Sequence, residues 1–132
     1  MKWVSKGKKK KYSVKRFFKG FIYAFSGIVN SFKTEQNILI DFIIGVLAIS
    51  LGVYLKISSI ELCIVFLCIG LVIGLELMNT AIEYTVDMSM PEIHPLAKLA
   101  KDVAAGSVLF ASLSSLAIGI IIYLPKIIAL LK

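Results

Sequence analysis

The sequence predicts an all-α integral membrane fold, an N-terminal amphipathic surface helix followed by three transmembrane helices, and three observations carry that expectation. The chain has 132 residues, of which 58% are hydrophobic and only 17% charged, a balance outside the range of soluble domains. Three apolar runs are each long enough for a hydrocarbon core of about 30 Å at 1.5 Å per residue. The charge that remains is segregated, since the net +7 comes mostly from lysines and one arginine crowded into the first twenty positions. One membrane domain over residues 1–132 is expected.

Taken in order, residues 1–11 form a basic tail that suits an anionic membrane surface, where each juxtamembrane Lys or Arg contributes about 1 kcal/mol. The tail could also bind nucleic acid, but the apolar spans that follow favour lipid, and no nucleic-acid partner is expected. It lacks the short apolar core and small-residue cleavage site of a secretory signal and is expected to stay in the mature chain. Residues 12–33 mix Phe17, Phe18, Phe21, Tyr23 and Phe25 with Lys15, Arg16 and Lys19, the pattern of a helix lying in the headgroup region. Tyr23 and its neighbours read by themselves as interfacial anchors.

The first span is expected over 35–55, with Asp41 its one acid after Glu35. Lys56-Ile57-Ser58-Ser59 makes a polar turn in which Ser58 or Ser59 can cap the next helix. The second helix, 59–87, is uncharged from Leu62 to Leu75 and then carries Glu76, Asn79, Glu83 and Asp87. At 100° per residue these four lie within about 60° of one line, over roughly 16 Å. Prolines at 91 and 95 mark a loop in which His94 reads as a hydrogen-bonding loop residue rather than a metal ligand. The third span is expected over 96–124. Cys63 and Cys68 read as small buried hydrophobes, and Gly70 and Gly74 as a close helix contact.

Lysine and arginine counts orient the chain. With the N-terminus inside, twelve basic residues face the cytoplasm against Lys56, Lys126 and Lys132 outside, a strong positive-inside bias. Arg16, Glu35, the Glu76–Asp87 stripe, His94, Lys101 and Asp102 then gather at the cytoplasmic boundary.

Intramembrane acids cost about 2.5–3.5 kcal/mol on insertion scales and are functional candidates. From the residues alone three readings stay open: a phosphoryl-type enzyme, an ion or proton pathway, and structural pairing with Lys98 and Lys101. In the first, Glu76 is the base for a lipid hydroxyl. Glu83, with a second carboxylate such as Glu35, holds Mg²⁺, and Lys101 and Arg16 neutralise a polyphosphate. No G-x-x-x-x-G-K-[ST] loop and no kinase-type glycine loop occurs, which excludes the familiar soluble ATP folds.

Glu76-Leu-Met-Asn79-Thr-Ala-Ile-Glu83, then Val86-Asp87, and His94-Pro-Leu-Ala-Lys98-Leu-Ala-Lys101-Asp102-Val-Ala-Ala-Gly106 resemble the signature of the prokaryotic-type diacylglycerol kinase family. The basic tail, the Lys-Asp-Val-Ala-Ala-Gly run and Tyr123-Leu-Pro-Lys126 resemble its undecaprenol kinase branch. The resemblance implies a homotrimeric cell-membrane lipid kinase that transfers the γ-phosphoryl group of MgATP to a lipid alcohol, undecaprenol or, alternatively, diacylglycerol. It implies Glu76 as catalytic base, Glu35 and Glu83 as Mg²⁺ ligands, and Arg16, Tyr23, His94, Lys101 and Asp102 as nucleotide contacts. Asn79 and Asp87 would support the site, while Asn30 to Thr34, Asn37 to Asp41 and Ala105 would lie near the lipid. Thr80 and Met78 stand where the family often has serine and an aliphatic residue.

Overall fold

The computed structural model describes residues 13–89, 92 and 94–132. The basic tail, Tyr12, and Met90, Pro91 and Ile93 of the proline loop lie outside them. Four helices follow one another: α1 Val14–Thr34, α2 Gln36–Tyr54, α3 Ser59–Ser89 and α4 Pro95–Leu130. The last three are long and apolar enough to cross a membrane. At 1.5 Å per residue α2 is about 28 Å long, α3 about 46 Å and α4 about 54 Å, so α3 and α4 outreach a core of about 30 Å.

Helix α1 is amphipathic by sequence spacing. At 100° per residue Val14, Phe17, Phe18, Phe21, Phe25 and Phe32 fall on one side, with Lys15, Arg16, Lys19 and Tyr23 opposite. Residues 14–30 are all exposed, and Ser31 is the helix's one buried residue. Near the junction, Phe32 meets Phe42 of α2 edge-on at 5.4 Å.

The turn between α2 and α3 is built by local chemistry. Lys56 takes a left-handed φ of 53°, while Lys56 N–H donates to Val53 O and Ile57 N–H to Gly52 O. This is the paired-bond helix ending normally completed by glycine. Ile57 folds back over Gly52, where an added Cβ would lie 2.7 Å from Ile57 Cδ1. Ser58 and Glu61 then bond reciprocally, Ser58 N–H to Glu61 Oε2 at 2.7 Å and Glu61 N–H to Ser58 Oγ at 3.2 Å, a capping box that starts α3. Lys126 of α4 reaches the same Glu61 oxygen at 3.2 Å.

Both α2 and α4 pack on α3. Gly45 lets α2 approach it, since a Cβ there would meet Ile69 Cγ2 at 2.9 Å. Between α2 and α4, Tyr123 Oη donates to Ala48 O at 2.8 Å, and both residues line an apolar cleft of about 840 Å³.

Three expectations need correction. Helix α4 runs through Pro125 to Leu130 instead of ending at 124. Proline is tolerated in membrane helices because the freed carbonyl finds other partners, and the residues after it are apolar. Gly70 and Gly74 have nothing within 4 Å of an added Cβ, so the close approaches within the chain fall at Gly45 and Gly52. Cys63 is exposed and Cys68 half-buried, because two neighbouring helices cover only part of α3.

Candidate active site

The site grows from the second half of α3. The chain buries Glu76 to 7% exposure and Thr80, one turn on, to 4%. Asn79 and Glu83 are half-buried, and Asp87 is exposed. The stripe thus grades from the interior to solvent along a single helix face. Asn79 Nδ2 donates to Glu83 Oε1 at 2.9 Å, the contact that i, i+4 spacing makes available. Asn79 Oδ1 is buried without a hydrogen-bond partner.

Helix packing encloses Glu76. Asn37 and Asp41 of α2, Glu76 and Asn79 of α3, and Ala105 and Ser112 of α4 line a recess of about 300 Å³. Asp41 and Ser112 also line the larger apolar cleft, so the recess and the cleft adjoin at these two residues. Asp41, Glu83 and Glu35 are near enough to interact electrostatically with Glu76. Among the described residues the ion pairs are Lys101–Asp87 at 2.7 Å and Lys126–Glu61, so Glu35, Asp41, Glu76 and Glu83 have no basic partner at that range.

Glu35 sits between α1 and α2 in extended conformation and makes no capping bond with its side chain. It instead accepts from Tyr84 Oη at 3.2 Å, which places the α1–α2 junction beside the α3 stripe within one chain. Lys101 of α4 pairs with Asp87 at 2.7 Å and also lies within Coulombic reach of Glu83. His94 caps α4, its Nδ1 accepting from Leu96 N–H at 3.2 Å, with Pro95 in the first helical position that suits it. Asp102 is exposed on α4, as are Arg16 and Tyr23 on α1. Arg16 and Tyr23, seven residues apart, share one face of that helix. Sequence reasoning did not single out Tyr84 or Ser112. Each gains its place from a neighbouring helix and carries no signal of its own.

A divalent cation is tested by its donors. Among the described residues no three His, Cys, Asp or Glu side chains cluster, so a complete protein cage is absent there. The donors present nevertheless fit Mg²⁺, a hard cation commonly held by one or two carboxylates with substrate phosphates and water. Among the described residues Glu35 and Glu83 are in no ion pair, and the orphaned oxygen of Asn79, whose amide nitrogen bonds Glu83, is a further hard donor.

Chemically, a buried acid in a recess beside an apolar cleft can take the proton of a hydroxyl that enters from lipid, while carboxylates and Lys101 nearer solvent can receive a charged reactant. The family model described as prokaryotic diacylglycerol kinase matches residues 22–123. The chain is similar to undecaprenol kinase of Bacillus subtilis, 45% identical over 112 residues, covering 85% of this chain and 91% of that protein. It is 38% identical to a diacylglycerol kinase of Synechocystis, over 84% of this chain and 64% of that longer relative. A diacylglycerol kinase of Helicobacter pylori is 34% identical over 70% of this chain and 73% of its own length. The chain belongs to the prokaryotic diacylglycerol kinase family.

Proposed function

We propose that the protein is an ATP-dependent kinase of the cell membrane that phosphorylates the hydroxyl of undecaprenol. The observation that carries this reading is Glu76, buried and, among the described residues, without a basic partner, in a recess that adjoins an apolar cleft at Asp41 and Ser112. An apolar chain with a terminal hydroxyl fits that shape, and the 45% identity to a protein named undecaprenol kinase supports the acceptor.

In this reading Glu76 accepts the hydroxyl proton as the lipid oxygen forms its bond to the γ-phosphorus of ATP and the bond to the bridging oxygen breaks, releasing ADP. Phosphoryl transfer demands mainly positioning and charge stabilisation. Glu35 and Glu83, assisted by Asn79 Oδ1, would hold Mg²⁺, which when bound neutralises charge on the phosphates. Lys101, kept in place by Asp87, and Arg16 would add positive charge. Tyr23, His94 and Asp102 would contact the nucleotide, and Asn37, Asp41 and Ala105 would flank the acceptor. The N-terminus and the site face the cytoplasm, α1 lies in the headgroup layer, and three chains assemble. In such an assembly α1 of one chain can approach the acids of another.

The runner-up acceptor is diacylglycerol, the substrate in the names of the Synechocystis and Helicobacter relatives. Purified protein is incubated in mixed micelles with γ-labelled MgATP and either lipid, and label is followed into the organic phase. Label in undecaprenyl phosphate is expected, and label in diacylglycerol alone would overturn the acceptor assignment.

A further inference from the structure

Tyr84 follows Glu83 on α3 and is half exposed, at 50%. Its hydroxyl crosses to the α1–α2 junction, donating to Glu35 Oε1 at 3.2 Å and lying 3.3 Å from Thr34 Oγ1. Thr34 Oγ1 is also 3.2 Å from Asn30 O. Three contacts therefore share two hydroxyl protons. The carboxylate can only accept, so the Tyr84 proton belongs to Glu35, and the Thr34 proton goes to Asn30 O or to Tyr84 Oη. Either arrangement leaves the phenol as the donor to Glu35, and a hydrogen bond to an ionised acceptor is the stronger kind.

Glu35 has another place to go. It is the N-cap residue of α2, with φ −108° and ψ 110°, a position from which a side-chain oxygen can accept from the second or third amide of the helix, most readily in Asp, Asn, Ser and Thr and with a longer reach in Glu. Here those amides belong to Asn37 and Ile38. The side chain makes no such bond and points to α3, where the one described donor to it is Tyr84. One hydroxyl thus selects between a carboxylate spent on helix capping and a carboxylate offered to the α3 stripe.

We infer that Tyr84 is a positioning residue for the cation site: its hydroxyl turns Glu35 away from the α2 N-terminus so that Glu35 and Glu83 can serve one divalent ion. The inference rests on the proposed metal role of Glu35 and Glu83. In this inference Tyr84 acts only through Glu35, the carboxylate to which its hydroxyl donates. Loss of its hydroxyl leaves packing intact and frees Glu35 to cap α2.

The test uses Mn²⁺ as probe. Full-length protein in detergent, with a non-hydrolysable ATP analogue, is titrated with Mn²⁺ and binding is followed by electron paramagnetic resonance for wild type, Tyr84→Phe, Glu35→Gln and the double variant. Tyr84→Phe is expected to weaken Mn²⁺ binding by roughly tenfold, the size of effect that loss of an outer hydrogen bond has on a ligand. The Mg²⁺ concentration for half-maximal turnover should rise in parallel while the KM for lipid stays unchanged. The double variant should bind no more weakly than Glu35→Gln alone, because the hydroxyl acts only through that carboxylate. If Glu35→Gln weakens binding and Tyr84→Phe does not, the positioning role is overturned and the metal reading stands. If neither weakens it, both fall. A drop in thermal stability of Tyr84→Phe with unaltered Mn²⁺ affinity would likewise overturn the proposal, by making Tyr84 a packing residue.

Discussion

At the scale of the residue, Glu76 concentrates the chemistry. A carboxylate at 7% exposure with no basic partner at ion-pair range among the described residues is an expensive group to keep. Its surroundings offer a recess of about 300 Å³ instead of compensation. Glu76→Gln keeps shape and packing but removes the proton acceptor, so turnover should fall by about 10²- to 10⁴-fold, the usual contribution of a general base. Binding of a fluorescent ATP analogue should remain near wild type, and a variant that turns over normally would remove Glu76 from that role. The relation of Glu76 to Asn79, Glu83 and Asp87 was legible in the sequence, because a helix fixes the angle between residues three and four apart. Tyr84 was not legible, because its partner stands 49 positions away on another element.

At the scale of the element, the α2–α3 turn shows how the helices are held in register. Lys56 occupies a left-handed position that disfavours side chains by roughly 1–2 kcal/mol, and the paired bonds from Lys56 and Ile57 hold it there. Lys56→Gly removes that strain at some cost in unfolded-chain entropy. A net gain of roughly 0.5–1 kcal/mol is expected, read as a higher midpoint of thermal inactivation in detergent, and a lower midpoint would contradict the strain argument. The Ser58–Glu61 box was half visible in the sequence, as a serine cap. Its tie to Lys126 required the end of α4 to lie beside the start of α3. Likewise, the passage of α4 through Pro125 depends on surroundings that a proline rule taken from soluble helices does not contain.

At the scale of the whole molecule, two helices laid on α3 leave much of it uncovered. Phe66, Leu67, Leu71 and Met78 are exposed on α3, and Gly70 and Gly74 face open space. A membrane helix face with small residues is suited to close association, and the expected state is a homotrimer in which such faces meet. Native mass spectrometry of the protein in mild detergent should give the mass of three chains. A uniform monomer that retains full turnover would refute trimerisation as a requirement of the site. The exposed amphipathic α1 belongs to the same scale, since its aromatic side needs lipid or a neighbouring chain to cover it.

The sequence by itself determined the number and type of helices and the polar stripe from Glu76 to Asp87, because composition and a 3.6-residue period act within single segments. The three-dimensional structure alone decided that Asp41 and Ser112 line one recess with Glu76 and also border the apolar cleft. It also decided that Gly45 and Gly52 are the points of close approach, and that Glu35 turns to Tyr84 instead of capping its own helix. These relations depend on the register of one helix against another. That register is set by the fit of side chains such as Ile69 against Gly45 and Tyr123 against Ala48, and no periodicity within a segment encodes it.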